Sequence, residues 1–163
     1  MVVLVDTNII IDALANREPY ADNAKKILEK CAAREVTGIL AAHSIPNMFY
    51  IFRKNYSQDE RRFLLKNLCN IFKISDLNAK KILAALENEK FVDFEDCLQE
   101  ECAVESMADY IVTRNPADFA NSRVKVILPC LLYTSDAADD RMPRLVGTEM
   151  CIRDRKCILQ KQV

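Results

Sequence analysis

The chain has 163 residues, with 23 Lys plus Arg against 24 Asp plus Glu, one His, seven Cys, no Trp and two Gly. Half of the residues are hydrophobic, so this length predicts a single domain with a sizeable core. The low glycine content excludes the glycine-rich loops of the usual dinucleotide and P-loop sites, and a single His excludes metal sites that use several imidazoles.

Charge and cysteine content restrict the function further. A net charge of −1 gives no general basic field, so binding of nucleic acid would need local patches or a metal ion. The Cys number is odd and no C-x-x-C occurs, which favours reduced thiols in the cytoplasm over a disulfide framework or a zinc ribbon. The N-terminal apolar run contains Asp6 and Asp12 and follows no Lys or Arg, so no signal peptide or membrane span is predicted.

Apolar runs alternate along the chain with segments of helical periodicity. Strands are predicted at 1–5, 38–42, 72–75, 110–113 and 124–128. A first helix is predicted after Asp6 or Asn8 as its N-cap, and further helices over 20–35, 43–54, 57–70, 77–89 and 94–106. The alternation indicates an α/β fold with a mainly parallel sheet, whose ligands bind beyond the carboxyl ends of the strands.

The sequence changes in character after Pro129. Residues 130–135 and 149–155 can be encoded by the two strands of one inverted DNA repeat. This tail resembles translated transposon-end adapters of sequencing libraries, although a genuine C-terminal extension is the alternative. Because such scars are excluded from fold reasoning, the domain is expected at 1–129, and 130–163 is expected to be non-native and disordered.

Acidic residues stand where predicted strands end. Asp6 follows the first strand, Asp96 lies in the first helical turn after Asp93, and Asp118 follows the strand that ends at Thr113. Oxygen ligands from separate strand ends suit Mg²⁺ or Mn²⁺, and such an ion can activate water for attack on a phosphodiester. From the spacing alone, the alternative that these residues only cap helices stays open.

Three motifs occur in order along the chain. V-L-V-D-T-N occupies residues 3–8, D-F-E-D occupies 93–96, and D-Y-I-V-T-R-N-P-A-D-F occupies 109–119. Together they resemble the PIN-domain family, which includes the VapC-type toxins, over about residues 1–129. The resemblance implies a three-layer α/β/α domain, Mg²⁺- or Mn²⁺-dependent cleavage of RNA, frequent homodimers, and an antitoxin that masks the site.

The resemblance also implies roles for individual positions. Asp6 and Asp96 would be the metal ligands. The implied catalytic set is Asp6, Asp96, Asp118, Asn115 and Asn47. The supporting residues are Thr7, Asn8, Asp93 and Thr113, and Arg114 is the candidate for contact with RNA phosphate. For Asp93, capping of the helix that starts at Phe94 is the favoured alternative.

Two amides occupy positions that are often acidic in the family. Asn47 stands where Glu is common, and Asn115 stands where Asp is common. Asp118 follows three residues after Asn115, and either Asn115 or Asp118 could orient water. Residues 43–50 nevertheless resemble the H-S-I-x-N-x-F-Y pattern of one PIN subgroup, in which the amide would be normal. Two functions therefore stay open: a ribonuclease toxin, and a weak or inactive PIN-like module that binds RNA or protein.

Other candidates are weaker. An aspartyl phosphatase would need a second Asp two residues after Asp6, where this chain has Asn8. His43, at the start of a helix, is expected to be a hydrogen-bonded structural residue rather than a general base. The cysteines before the tail are expected to act as small buried hydrophobic residues; they are Cys31, Cys69, Cys97 and Cys102.

Overall fold

Five parallel strands form the centre of the computed structural model, which describes residues 1–134. The strands are β1 (Val2–Val5), β2 (Thr37–Ala41), β3 (Lys73–Ser75), β4 (Tyr110–Val112) and β5 (Lys125–Ile127). Their order across the sheet is β3-β2-β1-β4-β5. The uninterrupted apolar strand β1 is therefore central, as expected for a strand that is buried on both faces.

Helices cover both faces of the sheet. They are α1 (Thr7–Leu14), α2 (Ala21–Ala32), α3 (Ser44–Ile51), α4 (Gln58–Ile71), α5 (Ala79–Glu87), α6 (Phe94–Glu105) and α7 (Leu131–Thr134). On one face, Val3 and Val5 pack in a core with residues of α1, α2 and α4, and on the other face Leu4 packs with residues of α6. The expected three-layer α/β/α architecture is confirmed. None of these helices is long and apolar enough to cross a membrane.

Side-chain caps fix the first turns of α1 and α6. Asp6 accepts a hydrogen bond from the backbone N–H of Asn8 at 3.2 Å and so caps α1. Asp93 accepts bonds from the backbone N–H groups of Glu95 and Asp96, at 2.7 and 3.3 Å, and so caps α6. The capping role favoured for Asp93 from the sequence is confirmed, and its carboxylate orients the turn that carries Asp96.

The predicted elements are present with small shifts at their ends, and the predicted helix 43–54 is divided into α3 and a 3₁₀ turn at Phe52–Lys54. One burial expectation is wrong. Cys31, Cys97 and Cys102 are buried, but Cys69 is exposed. The buried stripe of α4 consists of Leu65 and Leu68, and a residue one position beyond this stripe turns toward solvent.

The described chain continues beyond the expected boundary at residue 129. Helix α7 follows directly, and Leu132 is only 3% exposed within the core cluster that contains Val3 and Val5. Residues 135–163, which include most of the tail and the second half of the inverted repeat, lie outside the described residues. The adapter origin of the tail and its disorder stay predictions.

Gly38 of β2 occupies a position with no room for a side chain. A Cβ atom there would lie 2.5 Å from Cδ1 of Phe72 and 2.8 Å from Sγ of Cys31, both of which are buried. We expect Gly38→Ala to lower the free energy of unfolding by about 1–3 kcal/mol, the usual penalty for an overpacked core, measured by urea denaturation. Combined with Phe72→Leu, the loss should be smaller than the sum of the two single losses, because the shorter side chain vacates space. Strictly additive losses would contradict the clash.

Candidate active site

The candidate site lies between β1 and β4, at the topological switch point of the sheet. From β1 the chain proceeds to β2 and β3 on one side, whereas β4 and β5 lie on the other side. The backbone N–H of Asp6, directly after β1, donates to the carbonyl of Val112 at 3.0 Å. The carboxyl ends of both strands therefore open into one crevice, the usual place for ligands in an open α/β sheet.

The carboxylate of Asp6 is buried, with 1% exposure, and is held by four donors. Its Oδ1 accepts from the backbone N–H of Asn8 at 3.2 Å and from Nε2 of Gln99 at 3.1 Å. Its Oδ2 accepts from Nδ2 of Asn8 at 3.2 Å and from the hydroxyl of Thr113 at 2.7 Å. Since a carboxylate offers about four acceptor sites, Asp6 is fixed in orientation and fully engaged.

Gln99 brings Asp96 to Asp6. Its Nε2 also lies 3.5 Å from Oδ1 of Asp96, a long contact that completes a bridge between the two carboxylates. Gln99 is 1% exposed, and its Oε1 has no hydrogen-bond partner within the described part of the chain. Gln99 is not among the site residues predicted from the sequence, although its position three residues after Asp96 places the two side chains on one helix face.

Negative charge accumulates around Asp96. Burial, followed by the charges of Asp6, Asp93, Asp118 and Glu95, raises the pKa of Asp96 to about 7. A cation placed near these carboxylates would relieve their mutual repulsion.

The donor set of the site fits a hard divalent cation in chemistry. Mg²⁺ commonly uses one or two protein carboxylates and keeps several waters, and Asp6 and Asp96 provide two half-buried or buried carboxylates. The unpartnered Oε1 of Gln99 beside them is a further oxygen of the kind that such ions accept. Within residues 1–134, however, no three His, Cys, Asp or Glu side chains form a ready-made metal-binding group.

Asn47 is hydrogen-bonded to Glu95. Its Nδ2 donates to both carboxylate oxygens of Glu95, at 2.9 and 3.1 Å. From the sequence, position 47 is expected to lack a charge, yet the carboxylate of Glu95 from α6 lies directly against the amide. Glu95 was missed as a site residue, although it stands within the D-F-E-D motif immediately before Asp96.

The other predicted site residues occupy less central positions. The hydroxyl of Thr7 donates a hydrogen bond to the hydroxyl of Ser44 at 2.7 Å, which connects the start of α1 to the start of α3. Asn115 is exposed, and its backbone N–H donates to the hydroxyl of Thr113 at 3.0 Å. Asp118 is exposed in a 3₁₀ turn at Pro116–Phe119 and acts on the site through its charge.

Arg114 forms an ion pair with Asp12, which is completely buried. Its Nη1 donates to the two carboxylate oxygens of Asp12 at 2.8 and 3.0 Å, and its guanidinium lies 5.0 Å from the centre of the Tyr20 ring. The end of β4 is thereby fastened to α1. The sequence signal for this pair is the acidic residue at position 12 within an otherwise apolar helix.

The structure corrects the expectation that His43 is hydrogen-bonded. Both of its ring nitrogens are buried and have no hydrogen-bond partner within residues 1–134. Burial lowers the pKa of His43, although the negative charge of Glu95 opposes this effect. Burial therefore favours the neutral imidazole, which is consistent with a ring that packs rather than one that transfers protons.

A family model described as PIN domain matches residues 2–117, and the chain belongs to the PIN-domain family. PIN domains are in general nucleases that depend on divalent metal ions.

Solved structures of the same fold come from toxin–antitoxin complexes. A toxin–antitoxin complex from Klebsiella pneumoniae is 24% identical, with a TM-score of 0.59, over 78% of this chain and 97% of that chain. VapBC2 from Rickettsia felis, bound to a DNA fragment from its promoter, is 18% identical, with a TM-score of 0.57, over 78% and 98%. VapBC-1 from nontypeable Haemophilus influenzae is 15% identical, with a TM-score of 0.60, over 80% and 99%. Comparison with curated proteins gives no match.

We expect Arg114→Met to destabilise the protein more at neutral pH than at acidic pH. Burial raises the pKa of Asp12 even though Arg114 and Arg17 lower it, so loss of Arg114 raises this pKa further. A raised pKa in the folded state means that stability falls as pH rises above the ordinary Asp range, about 3.9. The loss in the free energy of unfolding should be on the order of 2 kcal/mol at about pH 7.5, less than for a fully buried ion pair because Arg114 is partly exposed. At about pH 5 the loss should be clearly smaller.

Urea denaturation at the two pH values measures this difference. Asp12→Asn in the same background is the matched control, because it removes the buried charge that Arg114 compensates. The double variant should recover most of the loss at neutral pH. A loss that is independent of pH would contradict the argument.

Proposed function

We propose that this chain is a metal-dependent ribonuclease that acts in the cytoplasm as the toxin of a toxin–antitoxin pair. One observation carries the proposal: Asp6 and Asp96 meet on the amide of Gln99 at the switch point of a PIN-domain sheet. Asp6 and Asp96 would hold Mg²⁺ or Mn²⁺. A bound divalent cation offsets the charge of a phosphodiester and lowers the pKa of the attacking water.

The ion pairs of the protein distinguish these carboxylates from structural ones. Buried Glu100 is paired with Arg123, whose backbone N–H and Nη2 donate to it at 2.6 and 2.9 Å. Buried Asp12 is paired with Arg114. Asp6 and Asp96 have no Lys or Arg partner within residues 1–134. A buried and a half-buried acidic group that meet without a cationic side chain are typical of functional sites.

Neighbouring residues would keep the proposed ligands in place. Asn8 and Thr113 hold the carboxylate of Asp6, and Asp93 holds the helical turn that carries Asp96. Thr7 would support the same turn of α1 through its bond to Ser44. These contacts reduce the reorganisation that catalysis would require.

Between Asn115 and Asp118, we assign the orientation of the attacking water to Asp118. The charge of Asp118 raises the pKa of Asp96, whereas the contact seen for Asn115 is its backbone N–H donating to the hydroxyl of Thr113. Asn47 would assist by holding the carboxylate of Glu95.

Arg114 is assigned to contact the RNA phosphate. Its Nη1 is engaged by Asp12, and the guanidinium has further N–H donors on a side chain that is 24% exposed. A cation next to an acidic site would lessen the repulsion of the RNA backbone.

The nuclease proposal is tested with the full chain, RNA and Mn²⁺. We expect Asp6→Asn and Asp96→Asn each to reduce cleavage by at least about 100-fold, because each removes one of two charges that hold the cation. Asp22→Asn is the matched control, since Asp22 is an exposed carboxylate in the first turn of α2, and it should cleave like the wild type. Cleavage that survives in the two site variants would refute the proposal.

A second function, binding of RNA or protein without cleavage, is favoured by two observations. The position of Asn47 carries an amide, and the described residues lack a group of three acidic, His or Cys ligands. The same assay separates the two functions. Retention of RNA by a wild-type chain that cuts nothing with Mg²⁺ or Mn²⁺ would establish the binding module.

The toxin role has a separate test in growing cells. The structural neighbours are complexes with an antitoxin, some of them bound to DNA, which supports a partner of this kind. We expect expression of the wild type in a bacterial host to stop growth and Asp6→Asn to leave growth unchanged. Co-expression of a short protein encoded beside the gene should restore growth. Normal growth of cells that express an active nuclease would reject the toxin role and leave the nuclease proposal intact.

We also propose that the free protein is a homodimer, which light scattering would measure.

A further inference from the structure

Gln99 has a buried side-chain amide whose nitrogen is hydrogen-bonded and whose oxygen is not. Its Nε2 lies 3.1 Å from Asp6 and 3.5 Å from Asp96, and its Oε1 has no hydrogen-bond partner within the described residues. The side chain is 1% exposed. A buried carbonyl without a partner is unfavourable, and the amide retains this orientation because its N–H groups face two carboxylates.

Rotation of the terminal amide by half a turn would exchange its nitrogen and oxygen. In the metal-free protein this exchange would aim Oε1 at two carboxylates and remove their shared donor. If Asp6 and Asp96 held a divalent cation, the preference would reverse, because an amide oxygen is a good ligand for hard cations and an N–H group is repelled by them.

We propose that the side-chain amide of Gln99 turns over when the site takes up a divalent cation. Its nitrogen ties Asp6 to Asp96 in the metal-free protein, and its oxygen faces the cation in the loaded protein. The inference rests on the proposed function in one respect, namely that Asp6 and Asp96 receive the cation.

The crowding around Asp6 means that one of its donors must withdraw, and Gln99 is the donor that also contacts Asp96. All four acceptor sites of this carboxylate are engaged, so a metal can reach it only when one donor withdraws. The backbone N–H of Asn8 is fixed by the helix cap, and the hydroxyl of Thr113 makes the shortest bond, at 2.7 Å. The side chain of Asn8 contacts Asp6 and is partly exposed, whereas Gln99 contacts both carboxylates and carries the unsatisfied oxygen.

Nuclear magnetic resonance of the side-chain amides tests the turnover directly. The Gln99 signal is identified by its loss in Gln99→Met, and the wild-type chain is titrated with Mg²⁺ while calorimetry records binding. We expect the Gln99 amide protons to shift and their protection from hydrogen exchange to fall at least about 10-fold on saturation, because they leave the carboxylates. The amide of Asn121, which donates to the carbonyl of Lys90 at 2.8 Å rather than to a carboxylate, is the control and should keep its protection.

A pair of variants gives a second readout. Gln99→Glu and Gln99→Met should both lower the melting temperature of the metal-free protein, since both remove the bridging donor. Gln99→Glu should bind Mg²⁺ more tightly than the wild type, and Gln99→Met at least about 10-fold more weakly, because only Glu offers an oxygen. Equal weakening in both variants would indicate a purely structural tie and overturn the proposal.

The outcomes separate the inference from the proposed function. Binding of Mg²⁺ by the wild type with an unchanged Gln99 signal would overturn the turnover and leave the nuclease proposal intact. Absence of Mg²⁺ binding, together with no cleavage with Mn²⁺, would overturn both.

Discussion

The carboxylate of Asp6 ties the candidate site to the fold. Its hydrogen bonds come from the start of α1, from α6 and from the end of β4, elements that are far apart in the sequence. The adjacency of β1 and β4 is therefore the constraint on which the site depends, because it places Thr113 beside Asp6 and leaves α6 to cover the crevice. A different sheet order would separate Thr113 from Asp6, whereas Asn8, two residues after Asp6, would stay beside it.

The protein treats its buried acids in two ways. Asp12 and Glu100 each have an Arg partner, so their charges fasten β4 to α1 and the segment before β5 to α6. Asp6 and Asp96 share an uncharged amide instead, which satisfies hydrogen bonds without neutralising charge. Placing a buried and a half-buried acid side by side without a cationic partner is unfavourable for stability, and such arrangements are typical of functional sites.

The sequence predicted the elements well because their signals are local. β1 is a continuous apolar run, α4 begins at a capping box formed by Ser57 and Glu60, and Asp93 caps α6. Burial was predicted less well where it depends on the rotation of one helix against its neighbours. Cys69 lies one position outside the buried stripe of α4. His43 differs in another respect, because the hydrogen bond expected for its ring is absent within residues 1–134.

The sequence by itself determined the α/β class, the family resemblance and the presence of acidic groups at strand ends, because periodicity, caps and motif spacing are written along the chain. Only the tertiary structure decided which groups meet: Gln99 between two carboxylates, Glu95 against Asn47, and Arg114 on Asp12. The physical reason is that these contacts join segments that are distant in sequence. Their distances follow from strand order and helix packing, which no local pattern specifies.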